Sequence, residues 1–186
     1  MQLRKARNTD VTQMRALINS MALRTDEDHK HGHMLPRSLT ELYEHIRDYT
    51  VLEDDGKIFG CCALESQWDE LAELKALAVS DELQGQGWGK KLVFSALAES
   101  QTLGIAVVYT LTNKWEFFQK LDFAPIPMNM LPQRVWSECV NCPKYDAGCD
   151  EVAMTYQGRQ PKQVFIPAVG VNAPQAARAA LGLSAK

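Results

Sequence analysis

The feature that most restricts this chain is a glycine-spaced turn, Gln84-Gly85-Gln86-Gly87-Trp88-Gly89, set between two segments of different periodicity. Ahead of it, Leu71 to Val79 is short and apolar, with the length and composition of a strand. Behind it, Lys90 to Leu103 carries Leu92, Val93, Ala96 and Leu97 at helical spacing, and Gly104 ends the helix. A strand that turns through glycines into a helix leaves backbone N–H groups pointing at an anion, at the positive end of the helix dipole. Phosphate is the natural guest, and glycines let the chain approach it closely. Two common phosphate-binding patterns do not fit. No Gly-Lys-Ser/Thr follows the turn, and neither the G-x-G-x-x-G spacing nor the acidic residue of a dinucleotide site is present.

The rest of the chain alternates between the two periods, which predicts an α/β domain. Gln2 to Ala6 reads as a strand, and Thr9 or Asp10 can cap a helix carrying Val11, Met14, Leu17, Ile18 and Met21. Arg24 to Pro36 is charged, aperiodic and rich in histidine, so it reads as a loop. Ser38-Leu39-Thr40-Glu41 has capping-box spacing before a helix with Leu42, Tyr43, Ile46 and Tyr49. A hairpin follows, from Thr50 to Glu53 and Lys57 to Leu64 around Asp54-Asp55-Gly56. Ile105 to Leu111 reads as a buried strand, Trp115 to Leu121 as a short helix, residues 134–142 as helical and Val152 to Gln157 as a closing strand. Residues 1–157 form the expected domain; residues 158–186, with an alanine-rich helix over 173–183, form a tail.

With 186 residues, 46% apolar and 23% charged residues and a net charge of -3, the composition is that of a soluble domain that needs no disulfide or metal staple. It lacks the basic excess of a nucleic-acid binder, so neither DNA nor RNA is an expected partner. No apolar signal segment follows Met1 and no apolar run reaches membrane-spanning length, so a cytoplasmic location without membrane contact is expected. Five cysteines, an odd number that includes adjacent Cys61 and Cys62, suit a reducing compartment.

The turn gains meaning from what surrounds it. Gln84-x-x-Gly87-x-Gly89 after Leu77-Ala78-Val79 resembles the acetyl-CoA motif of the GNAT superfamily of N-acetyltransferases, and Phe117-Phe118-Gln119-Lys120-Leu121-Asp122-Phe123 resembles its later FYEKLGF signature. Within that superfamily, Met34-Leu35-Pro36-Arg37-Ser38, Ala72-Glu73-Leu74, Leu131-Pro132-Gln133-Arg134-Val135-Trp136 and Cys139-x-x-Cys142-Pro143-Lys144 with Cys149-Asp150-Glu151 resemble short amino-acid N-acetyltransferases of the N-acetylglutamate synthase type. The resemblance implies the GNAT fold, an α/β (α+β) arrangement with a mixed central sheet flanked by helices. It implies acetyl-CoA as co-substrate and L-glutamate as the acceptor, the first step of arginine biosynthesis, with a homodimer as a further expectation.

It also implies roles. Gln84, Gly85, Gln86, Gly87, Trp88 and Gly89 would hold the pyrophosphate, and the backbone N–H groups of Leu77, Ala78 and Val79 would bind the thioester carbonyl and the charge that develops on it. Glu73, six residues before Val79, takes the position of the glutamate base in histone-acetylating members. Read without the family, it is a strand carboxylate or a partner of Lys75. Arg37 and Lys75 are the candidate cations for the carboxylates of the acceptor, and each would otherwise be a solvated surface charge. Many members carry a tyrosine acid where Phe118 stands, so protonation of the thiolate falls to water or to another group such as Tyr109, or is not needed. His29, His31 and His33, and Cys139 with Cys142 and Cys149, have partial metal-site spacing without a full ligand set, and no metal is expected. Another primary amine as acceptor (a polyamine, an antibiotic, a protein N-terminus) and a non-catalytic acetyl-CoA sensor are the competing readings.

Overall fold

The computed structural model describes residues 1–24, 34–132, 135, 139–140, 142 and 149–158. The chain forms two compact units, Met1–Gln67 with Ala72–Leu103, and Trp68–Leu71 with Gly104–Lys186.

The first unit contains β1 (Gln2–Lys5), α1 (Val11–Ala22), α2 (Leu39–Glu44), β2 (Tyr49–Asp54), β3 (Lys57–Trp68) up to Gln67, β4 (Leu71–Val79) from Ala72, and α3 (Trp88–Thr102). Its strands are ordered β1-β2-β3-β4, with β1 and β3 antiparallel to β2. On α1 the apolar stripe falls at Val11, Met14, Ile18 and Met21, all buried. These side chains share a core with Leu42, Ile46, Tyr49, Val51, Cys61, Ala63 and Ala78. Asp10 stands at the N-cap of α1 but does not cap it; its carboxylate accepts from the Arg7 N–H and from Arg4. The Ser38–Glu41 capping box forms as expected. Its helix is shorter than the apolar spacing suggested: a 3-10 turn, Ile46–Asp48, intervenes and Tyr49 opens β2. Asp55 and Gly56 both have positive φ, 46° and 77°, the requirement of a type I′ hairpin turn. Gly60 marks the closest approach in this unit. A Cβ there would come within 3.1 Å of both the Ala78 carbonyl oxygen and the Leu92 side chain, so β3 leaves room for α3.

Two features of β3 and β4 depart from the expected strands. β3 continues beyond Leu64 to Trp68, because Glu65 and Gln67 are buried rather than solvated. On β4, Ala78 packs with Cys61 and Ala63, while Lys75 reaches Glu65, which lies on the Cys61–Ala63 face by the two-residue period. Lys75 and Ala78 are three apart, and simple alternation would put them on opposite faces. The extra residue is taken up at Ala76, whose φ of 52° marks a bulge.

The second unit contains β5 (Val107–Thr112), α4 (Trp115–Gln119), β6 (Phe123–Pro125) and β7 (Val152–Tyr156), ordered β5-β7-β6 with both pairings antiparallel. The closing strand thus inserts between two earlier ones. Ile105 and Ala106 fall outside β5, since the Ala106 and Val107 N–H groups both bond to the Glu70 carbonyl, at 2.9 and 2.8 Å. Leu71, Val107, Tyr109, Leu131, Val135 and Ala153 form the core of this unit. Of the helical stretch expected over 134–142, Val135, Cys139 and Val140 are helical and most of the rest lies outside the described residues. The alanine-rich segment of the tail, and His29, His31 and His33, also lie outside them.

Candidate functional site

The glycine turn sits where β4 ends. A 3-10 turn, Asp81–Leu83, leads into it, and α3 begins at Trp88. Gly85 and Gly87 have φ of 74° and 82°, the left-handed region in which a side chain is strained even though open space surrounds both. Gly87 is the N-cap of α3 and has no side chain to cap it. The Gln84 N–H bonds to the Asp81 carbonyl, and the next N–H with a backbone acceptor is that of Lys91, bonded to Gly87 at 3.2 Å. Between them, the N–H groups from Gly85 to Lys90 take no backbone acceptor among the described residues. Six consecutive donors at the positive end of a fifteen-residue helix are a fit for a diphosphate.

Side chains brace this turn from below. The Gln84 amide donates to the Val79 carbonyl at 2.9 Å and to Asp81 at 3.0 Å. Asp81 is also held by both guanidinium nitrogens of Arg24 at 2.6 Å, and that pairing puts its carboxyl below the usual carboxylate range. The Gln84 side chain is therefore engaged with the protein, and the anion cradle is made by backbone. Lys91 places its ammonium 3.7 Å over the Trp88 ring in the first turn, and Lys90 lies 5.5 Å over Phe94. Two lysines beside the cradle add positive charge to it; their adjacency to the glycines was the available signal in the sequence.

On the strand ahead of the turn, Leu77 and Val79 are half-buried and Ala78 is buried. Burial pushes the Cys61 thiol up to about 12, and its Sγ donates to the Ala76 carbonyl at 3.7 Å.

Glu73 and Lys75 are brought together, and they are not alone. Lys75 pairs closely with Glu65 of β3 and lies 3.6 Å from Glu73, with all three side chains at least 86% buried, at 14%, 8% and 10% exposure. Gln67 donates its amide to the other oxygen of Glu65 at 3.0 Å. Among the described residues the ion pairs of this group join Glu65 and Glu73 to the Lys75 ammonium. Glu65 also acts at a distance on Asp48, whose carboxyl is raised chiefly by its own burial; His45 beside it lowers it, and the charge of Glu65 adds to the rise. Composition and spacing gave no reason to single out Glu65 or Gln67, because polar residues in alternation read as a strand end.

Arg37 has partners of its own. Its backbone is clamped by Asn19, which accepts from the Arg37 N–H at 2.8 Å and donates to its carbonyl at 3.2 Å. Its guanidinium lies 3.3 Å from Glu41, one helical turn on. No contact among the described residues joins it to the Lys75 group.

In the second unit Phe118 is buried and packs edge-on against Phe117 and Phe123, with centroids 5.1 and 5.2 Å away, a core role. Tyr109 is fully buried. Cys61 and Cys62 are buried thiols. Among the described residues, no group of three or more His, Cys, Asp or Glu side chains could hold a metal, and no helix is long and apolar enough to cross a membrane.

Comparison with known proteins agrees with this geometry. The family model described as an acetyltransferase (GNAT) domain matches residues 45–125, which span the hairpin, the glycine turn and the Phe117–Phe123 segment. An uncharacterized N-acetyltransferase of Chlorobaculum tepidum is 41% identical over 66% of this chain and 79% of its own. An amino-acid acetyltransferase of Mycobacterium tuberculosis is 30% identical over 80% of this chain and 82% of its own. Among solved structures, a Mycobacterium tuberculosis protein in complex with CoA superposes with a TM-score of 0.68 at 25% identity, over 84% of this chain and 98% of that one. The N-acetylglutamate synthase of Neisseria gonorrhoeae, complexed with coenzyme A and N-acetyl-glutamate, superposes with a TM-score of 0.71 at 25% identity, over 83% of this chain and 34% of that one. With a donor-lined turn that suits a diphosphate and these relatives, the chain belongs to the GNAT family: it has the GNAT fold, and it is an N-acetyltransferase whose co-substrate is acetyl-CoA.

Proposed function

We propose that the chain acetylates the α-amino group of an acidic amino acid, L-glutamate before others, with Glu73 as the base and Lys75 and Arg37 as the cations that hold the acceptor. The observation that carries this reading is the likeness to an amino-acid acetyltransferase over 80% of the chain. Glu73 is buried on β4, the strand that leads into the glycine turn, and a carboxylate there can take a proton from an acceptor amine. In the reaction, Glu73 takes one proton from the substrate ammonium. The nitrogen lone pair then forms the C–N bond as the C–S bond breaks, the electron pair leaves with the sulfur, and the second proton of the nitrogen passes to the departing thiolate or to water. The N–H groups of Gly85 to Lys90 would hold the pyrophosphate of the co-substrate, which supplies the thioester. Those of Leu77, Ala78 and Val79 would bind its carbonyl, where charge develops.

A second reading has one specific observation in its favour. Glu65 and Glu73 are two buried carboxylates on β3 and β4, and carboxylates suit a cationic acceptor such as a polyamine. Thiol release measured singly with L-glutamate, L-glutamine, L-aspartate and spermidine separates the two. A kcat/KM order with glutamate first supports the amino-acid reading; spermidine first replaces it with the second.

A further inference from the structure

Asp81 and Glu82 open the 3-10 turn that leads into the glycine turn, so two carboxylates stand just ahead of the donors from Gly85 to Lys90. An anion gains nothing from such neighbours. Asp81 is tied to the turn itself: its Oδ1 accepts from the Gln84 amide, and Gln84 directly precedes the first of those donors. Its charge therefore acts on a bound diphosphate from within about 10 Å, a range over which ordinary salt does not fully screen it. Like charges at that range weaken binding.

Each carboxylate has a cation brought to it from a distant element. Arg24, two residues beyond α1, closes a fork on Asp81, Nη1 to Oδ1 and Nη2 to Oδ2, both at 2.6 Å. Lys57, at the start of β3, lies 3.1 Å from Glu82. The Arg24 and Asp81 side chains are 39% and 63% exposed, and an exposed pair adds little to stability, so the fold does not account for the fork. The end of α1 is seated against this corner in other ways too. The Arg24 N–H bonds to the Met21 carbonyl at 3.2 Å, and the Gln84 amide lies 4.0 Å from the Met21 sulfur.

We infer that Arg24 is a positioning residue of the co-substrate site: it cancels the charge of Asp81, so that this carboxylate can hold Gln84 without repelling the diphosphate. This rests on the reading of Gly85 to Lys90 as the diphosphate cradle. Lys57 does the same for Glu82 through a single contact. Without Arg24 the carboxylate is uncompensated, and the loss falls on CoA affinity.

The test is CoA affinity by calorimetry on the full chain at low and high salt, with KM for acetyl-CoA measured beside it using the best acceptor of the panel. At about 0.02 M salt, R24M should weaken CoA by about ten-fold and raise KM for acetyl-CoA in step, with kcat within about three-fold. At about 0.5 M salt the deficit should shrink to about two-fold. R24K should restore most of the loss at low salt, since it returns the charge without the fork. D81N keeps an oxygen for Gln84 but sheds the charge and frees Arg24, so it should bind CoA about three-fold tighter at low salt. The R24M/D81N double variant should return to within about three-fold of wild type, although it lacks the fork altogether. A fork that acts only as a brace gives the reverse pattern: D81N weakens CoA, and the double variant is no better than R24M at either salt. That result overturns the inference. So does R24M with wild-type affinity while G87V loses CoA, which leaves the cradle standing. If G87V binds CoA as the wild type does, the cradle reading falls and the inference falls with it. Should R24M fail to fold, D81N decides alone at low salt: tighter CoA supports the inference, and unchanged or weaker CoA overturns it.

Discussion

The ammonium of Lys75 on β4 is held by the carboxylate of Glu65 on β3, and the bulge at Ala76 lets the strand present Lys75 and, three residues on, Ala78 to the same face. The backbone irregularity thus serves two ends: a charged group at one end of the strand and a packed, glycine-bound exit at the other.

Removing the cation from this group should be costly. Lys75→Met takes the ammonium away from the buried carboxylates Glu65 and Glu73, and breaking a buried pair in this way costs about 3 kcal/mol or more. Urea unfolding of the wild type and the variant measures it. A difference under about 1 kcal/mol would mean that the group behaves as a solvated surface pair.

The glycine turn makes a separate prediction. Gly87→Val forces a β-branched residue into φ of 82° at the N-cap of α3, which distorts the donors from Gly85 to Lys90 while filling only open space. CoA affinity measured by calorimetry should fall by about a hundred-fold or more, with the far-UV circular dichroism unchanged. Unaltered affinity would move the diphosphate site away from this turn.

Turnover should depend on Glu73. Glu73→Gln is expected to lower kcat by about a hundred-fold near neutral pH, with the deficit shrinking as pH rises and more of the acceptor amine is already neutral. A wild-type rate at pH 7 would make Glu73 structural.

Away from the site, Asp10 gives stability a defined pH dependence. Both guanidinium nitrogens of Arg4, at 2.7 and 3.1 Å, and the Arg7 N–H hold its carboxyl below its ordinary 3.8 in the fold. A depressed folded value means that the contribution is fully present above about pH 4 and is lost as pH falls through the folded value. Asp10→Asn should therefore cost about 2 kcal/mol at pH 7 and progressively less below pH ~4. A difference from wild type that stays constant down to pH ~2 would show that the ion pair is not its source.

Much of this architecture was legible because local signals and tertiary demands coincide. The capping box at Ser38, the apolar stripe of α1, the Asp55-Gly56 turn and the glycine turn before α3 each satisfy a backbone requirement with residues a few positions apart. What was not legible depends on distant partners. The end of β3 was hidden because Glu65 and Gln67 look solvated until Lys75 arrives from the next strand. The bulge at Ala76 leaves no mark in composition, since alanine has no special liking for a positive φ. Gln84 reads as part of the motif, yet its side chain spends its hydrogen bonds on Val79 and Asp81. Arg37 and Lys75 were paired as cations by chemistry alone; the fold gives each its own carboxylate partner, Glu41 for one and Glu65 for the other.

The proposal that an acidic amino acid is the acceptor is tested most directly by competition. The full chain is incubated with acetyl-CoA and an equimolar mixture of L-glutamate, L-glutamine, L-aspartate and spermidine, and the acetylated products are identified by mass spectrometry. N-acetylglutamate should form first and in the largest amount, with acetylspermidine least. Acetylspermidine as the leading product, or CoA formation that is no faster with the mixture than without it, would contradict the account.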